Sequence, residues 1–549
     1  MGSDVLVRHF LAQFFENDLS PDSDRHQVLA VAAAALVTIP LFVTVFMSLK
    51  YLMRPFQASG WTETTAMGDE VAFCAASLLV MAAITLLSWD ALALTPRDAA
   101  ILGVLPVPQR TVVRAKLTAL LLFASAFAIA LNAVPSLLHP LFMTAQLPMN
   151  PALLIPLTAA HALSTIMAAL FGFSAVLAVR ESAVALLGPA RFHRVSARIR
   201  STLLFAVLVL LALVPVRLSD SASWMFEPSP RTVLLRPVQW FAAGHGALAG
   251  RLLDGLPRPD LPPALEAEET RLTSRYRAAL PRFTAAAIEG AAIVTITLTL
   301  SLVLYLRNAR QLHLLEEGPP RRPGARLRAP FSPMGIRRNV ARRAGLLFAS
   351  RTLFRGSLHR VFVIVAVATG LALSIAIGRG PVQTLTLALQ TLFAGAVVAG
   401  FRTAIRTAAD YRAAWLFDVA STCRAGDFRG GIRIAGILLM TGAIGVLLPV
   451  QANEWGWRIA VRHAVNGLAI GWLMVEAAMV DVHRPFVESL PPSDGVNTVG
   501  VALGGATVIA IFIAAQIELV TLATSAAAVL YPLTFCLAAF IVRRVSAPS

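Results

Sequence analysis

The sequence predicts an all-α polytopic membrane protein of about twelve transmembrane helices in two six-helix halves, and three observations predict it. Apolar residues recur in uninterrupted runs of about 20, long enough to cross a hydrocarbon core of about 30 Å. Charged residues make up 14% of the chain against 57% apolar, with a mean hydropathy of +0.71, whereas a soluble fold carries about a quarter charged residues. The charges collect in the segments between apolar runs. A soluble protein with a very large core would not need so many unbroken runs, and that alternative is rejected.

Taken in order, residues 1–27 open with an amphipathic helix. Leu6, Val7, Phe10, Leu11, Phe14 and Phe15 form one stripe, with Arg8, Gln13 and Glu16 elsewhere. A helix of this kind before a span is expected in the membrane interface plane, the alternative being that it packs on another cytosolic element. Spans are then expected at 28–49, 70–93, 112–136, 153–179, 201–217 and 284–306. They make a first half at 28–306 with an external insertion at 218–283. A basic cytoplasmic linker at 307–359 contains Gly318-Pro319-Pro320-Arg321-Arg322-Pro323-Gly324, which cannot continue a helix. The second half, 360–549, is expected to span at 360–378, 383–401, 432–450, 459–480, 498–517 and 521–542.

Loop charge sets the orientation. Arg97, Arg110 and Arg114 follow the second span; Arg180, Arg191, Arg194, Arg198 and Arg200 follow the fourth. Arg402, Arg406, Arg412, Arg424 and Arg429 follow the eighth, and Arg543 and Arg544 the twelfth, whereas 137–151 carries no Asp, Glu, Lys or Arg. By the positive-inside rule both termini face the cytoplasm. The net charge of +17 therefore points to lipid headgroups, not nucleic acid. Lys50 and Lys116 are the only lysines, which suits a GC-rich bacterial genome and hence a bacterial inner membrane. Cys74, Cys423 and Cys536 are scattered and form neither a disulfide framework nor a metal spacing. The first residues lack the order of a cleavable signal peptide.

The connection after the second span carries the most information. It runs from Trp89 and Asp90 through Thr95-Pro96-Arg97-Asp98 to Leu105-Pro106-Val107-Pro108-Gln109-Arg110. Thr95 suits a helix N-cap, Pro96 the first helical position and Asp98 the answering position of a capping box. Pro106 and Pro108 end that helix, so a short capped helix is expected at the cytoplasmic surface between two spans. Such a helix can pass a push from a cytosolic partner into the membrane; the alternative is an ordinary capped loop.

An acidic residue after span two, a helix ending in Leu-Pro-Val-Pro, then Arg110 and Ala115-Lys116-Leu117 opening span three resembles the ABC-2-type transporter permeases. The N-terminal helix and the insertion 218–283 also match that family's layout. The resemblance implies a membrane permease subunit, an exporter driven by a separate cytosolic ABC ATPase subunit that acts as a dimer. It implies that the loop with Asp90, Arg97, Asp98, Pro106 and Arg110 is the coupling helix that docks on the ATPase. The second half carries an echo in the equivalent place. With an offset of 314, Ala99, Ala100, Leu102 and Arg110 align with Ala413, Ala414, Leu416 and Arg424, within a stretch that also holds Asp410, Arg412, Trp415 and Phe417. That half lacks the Leu-Pro-Val-Pro signature and the long insertion.

Candidates for a substrate path are fewer. Ionisable groups inside spans cost about 2.5–3.5 kcal/mol at a helix centre, which singles out His161, Glu289 and Glu476. Glu289 and Glu476 fall within about two turns of a span end, and His161 reads rather as a hydrogen-bonded packing residue. Trp240 lies in a Gly-rich helix of the external insertion, the region that lines the outer mouth in the resembled family, or else sits at the headgroup level. Gly467 and Gly471, like Gly500 and Gly504, have the spacing of close helix packing.

The chain has no Gly-x-x-x-x-Gly-Lys-Ser/Thr loop, no His-Glu-x-x-His and no Gly-x-Ser-x-Gly. No catalytic residue, metal set or cofactor is expected in it; ATP and Mg²⁺ would belong to the partner subunit. Three rivals remain: an ion- or proton-coupled secondary transporter, which wants ionisable groups near the midplane, a membrane-embedded lipid-acting enzyme, and a non-transporting scaffold or sensor subunit. The enzyme needs polar groups clustered at one membrane face, and the sequence shows no such cluster.

Overall fold

The computed structural model describes residues 3–15, 59–94, 107–144, 153–226, 236–253, 263–311, 339–355, 357–377, 384–407, 425–480, 513–522 and 525–545, with single positions among 38–51 and at 98, 102, 482, 486 and 511. All regular elements among these residues are helices. The chain divides into two compact units, Met1–Val207 with Val214–Pro320, and Leu208–Leu213 with Arg321–Ser549.

The first unit contains α1 (Ser3–Phe15), α2 (Ser59–Leu87), α3 (Gln109–Thr144), α4 (Leu154–Leu187), α5 (Pro189–Phe226), α6 (Arg236–Leu253) and α7 (Pro263–Gln311). Helix α4 is its centre, packing on α2, α3, α6 and α7. The buried positions of α4 explain why: Ala160, Ser164, Thr165, Ala168, Ala169, Gly172, Ser174 and Ala178 are small, so four neighbours approach it closely. In lipid, where apolar burial alone drives little association, small residues and interhelical hydrogen bonds supply the packing energy. One such bond runs from Ser301 Oγ on α7 to the Ser174 carbonyl, at 2.9 Å.

The second unit contains α8 (Val340–Arg355), α9 (Ser357–Ile377), α10 (Thr384–Arg406), α11 (Ala425–Trp455), α12 (Trp457–Ala478), the short apolar α13 (Ile513–Leu522) and α14 (Ser525–Val545). Helices α10, α11 and α12 pack mutually, with α8 on α11 and α9 on α10. The α8–α11 crossing is set by glycine. A Cβ on Gly345 would collide with the Phe428 carbonyl, and one on Gly431 with the Arg342 carbonyl, so the two backbones touch through a reciprocal glycine pair. Around it Leu346, Ala349, Leu353, Phe401, Ile432 and Phe486 close a core.

Each unit also turns one helix into the next through a single glycine. Gly188 (φ 72°) separates α4 from α5 and Gly456 (φ 80°) separates α11 from α12. Both φ values lie where side chains are strained, and Pro189 then occupies the first position of α5, which its fixed φ suits.

Seven helices among the described residues are long and apolar enough to cross a membrane, within Thr65–Leu87, Gln109–Thr144, Leu154–Leu187, Thr273–Ala309, Leu387–Arg406, Gly426–Trp455 and Ala528–Val545. The pair Val340–Phe354 and His359–Leu371, meeting at 75°, would make an eighth if it forms one broken span. The expected spans at 201–217 and 459–480 are helices in α5 and α12 but are not among the seven; those at 28–49 and 498–517 fall mostly outside the described residues.

Several boundaries move. Helix α3 does not stop at 136 but passes through Pro135 and Pro140 to Thr144. Each proline forfeits one backbone hydrogen bond, which membrane helices tolerate when neighbours compensate. The stretch 218–283 is largely helical in its described parts, since α5 runs to Phe226 and α7 begins at Pro263 with Glu266 in its first turn. Likewise the end of the basic segment 307–359 is helix α8, whose Leu346 and Leu353 are buried.

Candidate functional site

Two buried polar clusters lie toward opposite ends of the first unit. Nineteen residues separate Glu70 from Trp89 along α2 and His161 from Arg180 along α4. At about 1.5 Å per residue that is roughly 28 Å, one hydrocarbon thickness.

The first cluster gathers Glu70 of α2, His139 of α3, His161 of α4 and His245 of α6, all almost fully buried. His161 Nδ1 lies 2.5 Å from Glu70 Oε2, and His245 Nδ1 lies 3.7 Å from the same oxygen. Glu70, His139 and His161 each offer one ligand-type atom within 4.8 Å of the others. Cys74 Sγ, one turn after Glu70, donates to Glu70 Oε1 at 3.5 Å. Phe73 fills the space beneath, its ring centroid 4.9 Å from His139 and 5.2 Å from His161. Beside it, Tyr51 donates to Asp69 Oδ2 at 2.7 Å. Spacing along the chain does not reveal this grouping of Glu70, His139, His161 and His245, which the helices bring together.

Next to this cluster is an apolar cavity of about 390 Å³, lined among others by Ser164, Met167, Trp240, Gly244 and Ile288. Ser164 is one turn from His161 and Gly244 precedes His245, so the cavity shares its walls with the cluster. Trp240, half-buried, lines it as well. Helix α6 is no surface element: it packs on α2, α4 and α7, with Ala242 and Ala243 fully buried. Glu289 is exposed and its neighbour Ile288 lines the cavity instead.

The second cluster holds the connection after α2. Trp89 Nε1 donates to Ser196 Oγ at 2.8 Å. Arg200 donates to Asp90 Oδ2 and to the Leu87 carbonyl, both at 2.9 Å. The buried Arg180 pairs with Glu181 and lies over the rings of Trp89 and Phe192. Glu181 in turn accepts from Asn308 Nδ2 of α7, at 2.7 Å to Oε2 and 3.0 Å to its backbone carbonyl. Helices α2, α4, α5 and α7 are thus tied together where the connection leaves the bundle.

Helix α1 joins the same end. Leu6 and Phe10 are buried against Val112, Ala115 and Ala119 of α3, with Leu94, Leu102 and Val107 around them. Gln13 donates to Asp98 Oδ1 at 2.7 Å and accepts from Lys116 Nζ at 2.8 Å. Leu6 and Phe10 of the apolar stripe of α1 thus pack on α3.

Of the residues expected at the coupling surface, Asp90 and Arg110 are exposed, while Asp98 is turned inward and buried. Arg97, Pro106, Asp410, Arg412, Trp415, Phe417 and Arg424 lie outside the described residues, as does most of the expected helix 96–104. Pro108 opens α3, its carbonyl accepting from Thr111 N at 2.8 Å.

The second unit buries carboxylates too. Glu518 of α13 accepts from Asn466 Nδ2 at 2.8 Å and lies 2.6 Å from His463 Nδ1. Glu476 pairs with Arg433 at 3.1 Å and accepts from Trp472 Nε1 at 3.2 Å. His161 and Glu476 are thus partnered groups inside their bundles, whereas Glu70, His139, His245 and Glu518 escaped the sequence reading. Glu70 stood at the first position of the span drawn at 70–93 and His139 three residues past the one drawn at 112–136, and the only signal was their titratable character within helices that run further.

No known family model matches the chain, and no curated protein or solved structure matches it. Its own helices define the class: an all-helical, multi-pass membrane protein.

Proposed function

We propose that this chain is the membrane-spanning permease subunit of an ABC-2-like exporter in a bacterial cytoplasmic membrane, with twelve spans in two halves, both termini inside, and energy from a separate ATPase. The observation that carries the reading is the clamp on the connection between α2 and α3. Asp98 is held by Gln13 of α1, Lys116 holds Gln13, and Arg200 holds Asp90. A connection fixed to three helices moves only when they move, which is what transmitting a partner's stroke requires. The cavity beside Trp240 offers an apolar substrate a place within the bundle.

The test is biochemical. The purified chain in nanodiscs, mixed with an ABC ATPase encoded beside it, should retain that subunit and stimulate its ATP hydrolysis, with no hydrolysis by the chain alone. Robust hydrolysis by the chain alone, or failure to retain the ATPase, would overturn the assignment. A second reading, an ion- or proton-coupled transporter, draws on the buried carboxylates Glu70, Glu476 and Glu518. Substrate movement that follows an imposed ion gradient without any ATPase would favour it.

A further inference from the structure

We propose that Glu70, His139 and His161, with His245 as the adjacent fourth group, form a binding site for a divalent transition-metal ion of the Zn²⁺ type. This inference is independent of the permease reading.

The donor set argues for the ion. Zn²⁺ takes imidazole nitrogen and carboxylate oxygen in fourfold tetrahedral coordination, whereas Mg²⁺ and Ca²⁺ want oxygen throughout. One carboxylate and three imidazoles converge here from four different helices. Bond lengths of about 2.0–2.1 Å put tetrahedral ligand atoms about 3.3 Å apart. Three candidate atoms already lie within 4.8 Å of one another, so rotamer adjustments and a small helix shift complete the contraction.

Unsatisfied valence argues the same way. His161 Nε2 and His245 Nδ1 are buried and have no hydrogen-bond partner among the described residues. A buried nitrogen left unpaired is destabilising, and a cation between the rings would give such a nitrogen its partner. A purely hydrogen-bonded cluster would leave those nitrogens as they are.

The contact between His161 Nδ1 and Glu70 Oε2 sets an imidazole nitrogen and a carboxylate oxygen side by side, the two donor types that Zn²⁺ takes. Charge is also accommodated, because Asp69 lies beside Glu70 in the chain and is buried with it, so two carboxylates can offset the two positive charges.

The test uses full-length protein carrying no polyhistidine tag, purified in detergent from cells grown with Zn²⁺ and analysed by elemental mass spectrometry. Wild type should hold about one zinc per chain. His161→Ala and Glu70→Gln should lower zinc affinity more than about 100-fold, while His463→Ala, in the other buried histidine–carboxylate group, should retain the metal. Zinc absent from wild type, or equal in wild type and in His161→Ala, overturns the proposal. If the variants fail to fold, metal-free wild type titrated with Co²⁺ decides. The intense visible bands of tetrahedral Co²⁺, abolished by one equivalent of Zn²⁺, support the site. A spectrum of octahedral aqueous Co²⁺ throughout overturns it.

Discussion

Gln13 and Asp98, 85 residues apart, share a hydrogen bond of 2.7 Å, so the amino-terminal helix holds the connection that leaves α2. Because Lys116 donates to the other end of the Gln13 amide, replacing Gln13 by Ala removes a partner from two buried polar groups. That should cost about 1–3 kcal/mol. Hydrogen exchange across α1 should accelerate about tenfold or more. Unchanged exchange in Gln13→Ala would mean that Leu6 and Phe10 alone retain the helix.

Docking and folding separate at two positions of the same connection. Arg110 is exposed while Asp98 is buried. Arg110→Glu should leave the thermal midpoint of the purified chain unchanged yet weaken ATPase retention by about 2 kcal/mol, roughly thirtyfold. Asp98→Lys should lower the midpoint itself. Equal retention by wild type and Arg110→Glu would remove this loop from the interface.

Asn308 satisfies Glu181 at two of its oxygens, and Asn308→Ala should destabilise the first unit by about 1–3 kcal/mol. Ile296→Ala on the same helix, 64% exposed, should be close to neutral. Thermal unfolding in detergent compares the two, and similar losses would argue against the buried network.

Gly431 meets the Arg342 carbonyl, whereas Gly442 on the same helix has open space where a Cβ would go. Gly431→Val should therefore abolish the α8–α11 contact and lower yield. Gly442→Ala should hold stability or raise it by up to about 1 kcal/mol. Size-exclusion profiles and melting curves read both, and a well-behaved Gly431→Val protein would contradict the close approach.

The twelve-span arrangement has its own test. In a background lacking Cys74, Cys423 and Cys536, single cysteines at 145, 380 and 453 should react with an impermeant reagent from outside. Those at 195, 325 and 425 should react only after permeabilisation. Labelling at 325 in intact cells would sink the arrangement.

The helices around Cys74, Phe123 and Phe173 were legible because long apolar runs have no other solvent to suit them. Trp89 and Asp90 were legible as the start of something constrained. What stayed hidden was lateral. Glu70, His139, His161 and His245 sit on four helices with no shared spacing, and only α4, with its Ala and Ser surface, brings them together. The span edges hid them further, since the expected span 112–136 stops before His139 while α3 runs to Thr144. The bond from Gln13 to Asp98 stayed hidden for a related reason: it exists only once α1 is folded against the connection.

The close approach of α8 and α11 at Gly345 and Gly431 bears on how the protein is made. Those two residues are separated by 86 positions, and synthesis at about 5–20 residues per second leaves roughly 4–17 seconds between them. During that interval α8 has left the ribosome without the helix whose backbone it must touch. A crossing this tight admits no lipid tail between the two helices. Whatever occupies the Gly345 face in those seconds must depart before α11 can dock.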